Sequence, residues 1–225
     1  MKPDGRVPLR ERKKRKTSCD LEEAALRLFS RSGFDAVTVE EITDAAEVSK
    51  RTFFRYYACK EDVLFADHAR HLLQLEMLLD ERPASEPVPA AVRAALAGLA
   101  VVLEAEKDRV LARAQIVLAT RSLHGRALEL YSLFQEAIAG AVARRCGADQ
   151  VRDLRVRLLA GIAATAMREA VQAWALSGAR ESLPALVDWS FELSSAGLDG
   201  LLPAPPHPAP LQPAETGPRR LAAEA

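Results

Sequence analysis

Residues 49–57, Ser-Lys-Arg-Thr-Phe-Phe-Arg-Tyr-Tyr, gather cationic, hydroxyl and aromatic side chains into one short stretch. Lys50 and Arg51 suit guanine edges or phosphates, Thr52 suits a phosphate or a thymine methyl, and the Tyr56 hydroxyl can bond a phosphate. Phe53 and Tyr57, four apart, share one helical face and can seat the segment. Lys50, Arg51, Thr52, Phe54, Arg55 and Tyr56 are left outward or at the margins. Lys60 opens the next helix, where it and the free amides of that N-terminus are placed to hold a phosphate.

Charge distribution points the same way. The first 16 residues carry eight Lys/Arg against two acids, net +6, and residues 1–60 carry fourteen against ten, net +4. The chain as a whole is neutral, so the remainder is −4. Six of the seven lysines lie in the first 60 residues, with Lys107 alone beyond them. A polyanion gripped by counterion release is the partner such a segment fits, against the plainer alternative of a solvated basic tail.

Other chemistries find little support. His68 and His71, three apart beside Asp67, read as an exposed pair without a further metal ligand. Cys19, Cys59 and Cys146 are widely spaced and have no CxxC pattern, so neither a zinc site nor a disulfide framework is expected. Phosphate-loop, nucleophile-elbow and carboxylate-dyad signatures are missing, which argues against an enzyme. No cofactor is expected. No apolar run of about 20 residues is evident, and the start lacks a signal-peptide core, so a cytoplasmic protein without a membrane partner is expected.

The elements that must position these residues are helices. Glycine and proline are sparse between residues 9 and 200, and apolar residues recur at helical spacing. An all-α fold of about nine helices follows. Leu21, Ala24, Ala25, Leu28 and Phe29 stripe a first helix that ends at Gly33. Thr38, with Glu41 three residues on, forms a capping box for a second, and Ser49 caps a third. A fourth is expected over 60–80, then others near 89–106, 108–122, 126–146, 150–177 and 183–201. The domains read as a flexible basic arm (1–16), a helix-turn-helix domain (17–60), a larger helical domain (61–202) and a Pro/Ala-rich disordered tail (203–225).

The run LEEAALRLFSRSGFDAVTVEEITDAAEVSKRTFFRYYACKEDVLF resembles the N-terminal domain of the TetR family of transcriptional regulators. The landmarks are Ala24-Ala25, Leu28-Phe29, Gly33-Phe34, Thr38-Val39, Ile42, Ala45-Ala46, Val48-Ser49, Thr52, the aromatic cluster and Lys60-Glu61. The resemblance implies operator contacts at Thr38, Lys50, Arg51, Thr52, Phe54, Tyr56 and Lys60, with Arg55 close by. It departs at three places: Glu47 stands where glycine is common, Phe54 where a tyrosine often offers a hydroxyl, and Cys59 where serine or asparagine caps the fourth helix.

The stretches RALELYSLFQEAIAGAVARRCG and AVQAWALSG resemble the family's acyl-CoA-like-ligand-binding subgroup. The implied partners are a double-stranded DNA operator, a small, apolar effector and a second copy of the chain. Leu103, Ile116, Leu118, Phe134 and Met167 are expected to line a ligand pocket, and Leu158, Ile162, Val171, Trp174, Trp189 and Leu193 a homodimer interface. Any of these could equally be ordinary core. The implied function is a palindrome-reading, ligand-released repressor, with a sequence-nonspecific DNA-binding protein or a helical enzyme as the alternatives.

Overall fold

In the computed structural model, residues 9–196 are described. Ten α-helices and one short 3₁₀ turn, and no strand, occur among them: α1 (Leu9–Ser32), α2 (Val39–Ala45), α3 (Lys50–Phe53), α4 (Lys60–Leu64), α5 (His68–Asp80), α6 (Val88–Ala105), α7 (Lys107–Ala119), the 3₁₀ turn (Arg121–Leu123), α8 (His124–Cys146), α9 (Leu154–Leu176) and α10 (Leu183–Ser195). The expected tail at 203–225, the last residues of the expected final helix and the first eight residues of the basic arm lie outside the described residues.

Two expectations change, and a third point bears on α6. The basic segment from Arg10 to Lys16 is helical and belongs to α1 rather than to a flexible arm. Lysine and arginine are good helix formers, and a long helix propagates through them from the packed half at Leu21–Phe29. The single helix over 60–80 is broken at Phe65–Asp67, where Ala66 and His68 donate three residues back, to Val63 and Phe65. Apolar spacing alone runs straight through that break. Finally, α6 is apolar enough in length and composition for a membrane span. Its stripe of Val92, Leu96, Leu99 and Leu103 is buried in the larger core, against α5, α9 and α10.

Two apolar clusters hold the molecule. The smaller joins Leu21, Phe29, Phe34, Ile42, Phe53 and Tyr57, and it reaches past residue 60 to include Val63, Leu64, Phe65, Ile116 and Leu123. α1, α2 and α3 are therefore seated on α4, α7 and the start of α8. The larger is built from α5, α6, α8, α9 and α10 around Trp174, Ile138 and Leu183. Burial of such side chains at roughly 1.5–3 kcal/mol each supplies the driving force. Arg93 adds a clasp between α6 and α10 through Asp188 (2.6 Å) and Glu192 (3.1 Å).

Candidate nucleic-acid interface and ligand cavity

α2 and α3 are fixed by their caps. The Thr38 hydroxyl accepts from the Glu41 amide (3.2 Å), and the Glu41 carboxylate accepts from the Thr38 amide (2.8 Å). Those bonds to Thr38 hold the Glu41 carboxyl below its ordinary range. The Ser49 hydroxyl accepts from the Thr52 amide (3.1 Å) and caps α3. Between the two helices Glu47 takes φ +54°, the left-handed region in which a side chain costs roughly 1–2 kcal/mol.

α3 is shorter than residues 49–57. Arg55 and Tyr56 donate to Thr52 and Phe53, three residues back, so the helix tightens into a turn under the paired aromatics. Fully buried Phe53 and nearly buried Tyr57 anchor it, their ring centroids 5.6 Å apart. Lys50, Arg51 and Arg55 face solvent, and Thr52 and Tyr56 sit at the margin. Lys50 pairs with Glu40 of α2, and Arg55 lies over the Tyr56 ring at 5.3 Å. Phe54 is 56 % exposed, an apolar group with no hydroxyl to offer.

Lys60 is turned inward. Its ammonium donates to the carbonyls of Phe34 and Val37, both at 2.9 Å, and lies 4.4 Å from the Phe34 ring centroid. It ties the α1–α2 loop to α4 instead of presenting a charge outward. Cys59, the N-cap of α4, makes no side-chain cap bond, and partial burial pushes its thiol pKa up.

The larger domain contains a partly open cavity of about 610 Å³. Leu103, Leu118, Phe134 and Met167 line it, together with Leu96, Leu99, Val110 and Ile138. Ile116 does not: it faces the smaller cluster, with residues of α1–α3. Sequence reasoning also missed the polar wall, which includes His68, His71, Arg113 and Arg168. The histidines are not an exposed pair, since His71 is buried, and no three His, Cys, Asp or Glu side chains converge as a metal group among the described residues. Burial, then the Arg113 charge, lowers the His68 pKa to about 3, so the ring is neutral near pH 7.

Beside the cavity lies a cluster of charges. Asp67 accepts from Arg113 at 2.8 Å and lies 3.1 Å from Arg70 and 3.4 Å from Arg109. Burial would raise its carboxyl, but the Arg113 hydrogen bond and charge, with Arg109, outweigh it and hold the pKa at about 2. Arg109 also pairs with Glu22 of α1, which accepts from the Tyr57 hydroxyl at 3.0 Å. Burial pushes the Tyr57 pKa up, and Glu22 adds to the rise. Arg70 makes two bonds to Glu106, at 2.6 and 2.7 Å, and these hold the Glu106 carboxyl low.

A second hollow of about 650 Å³ runs between α9 and α10 on the outside of the molecule, lined by Leu158, Ile162, Trp189 and Leu193. Two residues grouped with these by sequence lie elsewhere. Trp174 is fully buried in the larger core, and Val171 lines the 610 Å³ cavity. Residues 158, 162, 165 and 169 share one face of α9, whereas 167, 171 and 174 fall on the opposite face, as helical spacing requires.

Comparison with known proteins agrees with this architecture. Residues 21–66 match the model of bacterial regulatory proteins of the tetR family, and residues 86–199 match that of the MftR C-terminal domain. A Mycobacterium tuberculosis protein named as a mycofactocin biosynthesis transcriptional regulator, MftR, is 33 % identical over 190 residues, covering 84 % of this chain and 95 % of its own. The HTH-type transcriptional regulator TcmR of Streptomyces glaucescens is 34 % identical over 174 residues, 75 % of this chain and 77 % of its own. Among solved structures, Thermus thermophilus FadR, a repressor in complex with lauroyl-CoA, superposes with a TM-score of 0.55 at 25 % identity, over 86 % of this chain and 98 % of its own.

Proposed function

The chain belongs to the TetR family of transcriptional regulators, with a C-terminal domain of the MftR type, and from this premise we propose that it is a dimeric repressor released from a palindromic operator by a small, largely apolar ligand. The observation that carries the proposal is the pairing of two sites in one body. A capped helix-turn-helix with Lys50, Arg51 and Arg55 facing solvent shares a core with the helices that wall the 610 Å³ cavity. Cavities of roughly 300–1,000 Å³ are the usual size for small-molecule sites.

In this reading Thr38, Lys50, Arg51, Thr52, Arg55 and Tyr56 form the DNA-facing set. Phe54 offers apolar contact only, and Lys60 acts by holding the α1–α2 loop in place. Two copies joined at the α9–α10 hollow set two α3 segments about one DNA turn apart, as reading a palindrome requires. The exposed Leu158, Ile162 and Trp189 of that hollow support the assignment. A cytoplasmic, non-enzymatic role accords with this reading.

Selection from random duplexes tests it: an inverted repeat with half-sites about one turn apart should be enriched. Retention of DNA with no enriched site, weakening steeply with salt, would instead identify a sequence-nonspecific binder.

A further inference from the structure

A run of polar contacts leads from the cavity to Tyr57, whose ring packs on α3. It starts at Arg113, a buried cavity-wall residue whose Nε–H meets no acceptor. Its Nη2 donates to Asp67 at the α4–α5 break; Asp67 lies against Arg109; Arg109 pairs with Glu22; and Glu22 accepts from Tyr57, whose ring packs on Phe53 of α3. Three other buried polar atoms of the cavity wall, Nδ1 of His68, Nε2 of His71 and Nε of Arg168, also make no hydrogen bond. A hydrocarbon occupant would leave all four unsatisfied, whereas an acceptor on the ligand could satisfy one or more of them.

Arg109 is shared between two carboxylates, Asp67 and Glu22. If Arg113 turns toward a ligand, Asp67 loses its shortest charge-assisted bond and competes for Arg109, which Glu22 then loses in part. Glu22, together with Ser18 at 2.7 Å, holds the Tyr57 hydroxyl, and through it the seat of α3.

We propose that the ligand is an apolar molecule bearing a hydrogen-bond acceptor, that the Arg113 guanidinium turns to take this acceptor at its unpartnered Nε–H and so gives up the Nη2 bond to Asp67, and that α3 is loosened through the Asp67–Arg109–Glu22–Tyr57 run. The proposal deepens the reading of a ligand-released regulator and rests on it. Contiguity is not itself coupling, so the test must measure coupling.

Octanoate, methyl octanoate and octane serve as probes, read first by thermal shift without DNA. The two acceptor-bearing probes should stabilise the wild type more than octane does. Arg113→Lys, which keeps the charge facing Asp67 but lacks the Nε–H, should shrink that difference. Operator binding is then measured with the selected duplex. Saturating methyl octanoate should weaken the wild type about tenfold and Tyr57→Phe less than about twofold, although the probe still binds that variant. An equal response of the wild type to all three probes, including none at all, overturns the acceptor assignment. A Tyr57→Phe protein that binds the probe and releases DNA as fully as the wild type overturns the run. Failure to recover any operator counts against the regulator reading itself, while the thermal shifts still decide the acceptor.

Discussion

His68 stands between Phe65 and Phe134, with Arg113 and His71 acting on it electrostatically, and its pKa of about 3 links stability to pH. The unfolded chain takes up this proton near pH 6.5 and the folded one does not until about pH 3. The contribution is therefore complete above pH 6.5 and is lost progressively as pH falls toward 3. The slope approaches 1.4 kcal/mol per pH unit for one such site. His71, also lowered by burial, adds in the same direction. Urea unfolding at pH 7 and pH 5 should show a clear loss of stability at the lower pH in the wild type and a smaller one in His68→Leu; equal losses would remove His68 from this account. Glu47 presents a different residue-scale effect. It is exposed, so replacing it removes only the strain of φ +54°. Glu47→Gly should raise stability by about 1 kcal/mol, a shift of several degrees in Tm, and an unchanged Tm would mean that the unfolded state's extra freedom cancels the relief.

At the scale of elements, α4 starts from Cys59 without a side-chain cap, although Asp62 accepts from the Ala58 amide at 3.1 Å. Cys59→Ser supplies an acceptor for a free amide of the first turn. It should stabilise the protein by about 1 kcal/mol in thermal unfolding, where a neutral result would show that water already satisfies that amide. This weakness was legible in the sequence because a cap is local, as were the Thr38 capping box, the Ser49 cap and the strained position of Glu47. What was not legible depends on partners distant along the chain. The break at Phe65–Asp67 is hidden because Val63, Leu64, Leu72 and Leu75 keep helical spacing across it. At the break, Asp67 meets Arg109 and Arg113 of α7, partners that come together only in the folded molecule. Likewise α9 is apolar on two faces. Nothing within it tells which face meets the core at Trp174 and which lies open at Leu158.

At the scale of the whole molecule, dimerisation decides whether the helix-turn-helix can read a palindrome. A stable interface covers about 1,200–2,000 Å² in total, with apolar anchors at its centre. Leu158 is 58 % exposed and lies beside Ile162 and Trp189, so it has little to contribute to the monomer's own fold. Leu158→Glu sets one carboxylate opposite its symmetry mate at an isologous contact, where both would have to be desolvated together. Sedimentation at micromolar concentration should give a dimer for the wild type and a monomer for the variant, with thermal unfolding of the protomer little changed. Binding to the full palindrome should then fall by about 100-fold, because the second half-site no longer profits from the effective concentration that linkage provides. Binding to an isolated half-site should stay the same, since α3 and its caps are untouched. A variant that remains dimeric, or a monomer that still holds the palindrome as tightly as the wild type, would move the interface away from α9 and α10.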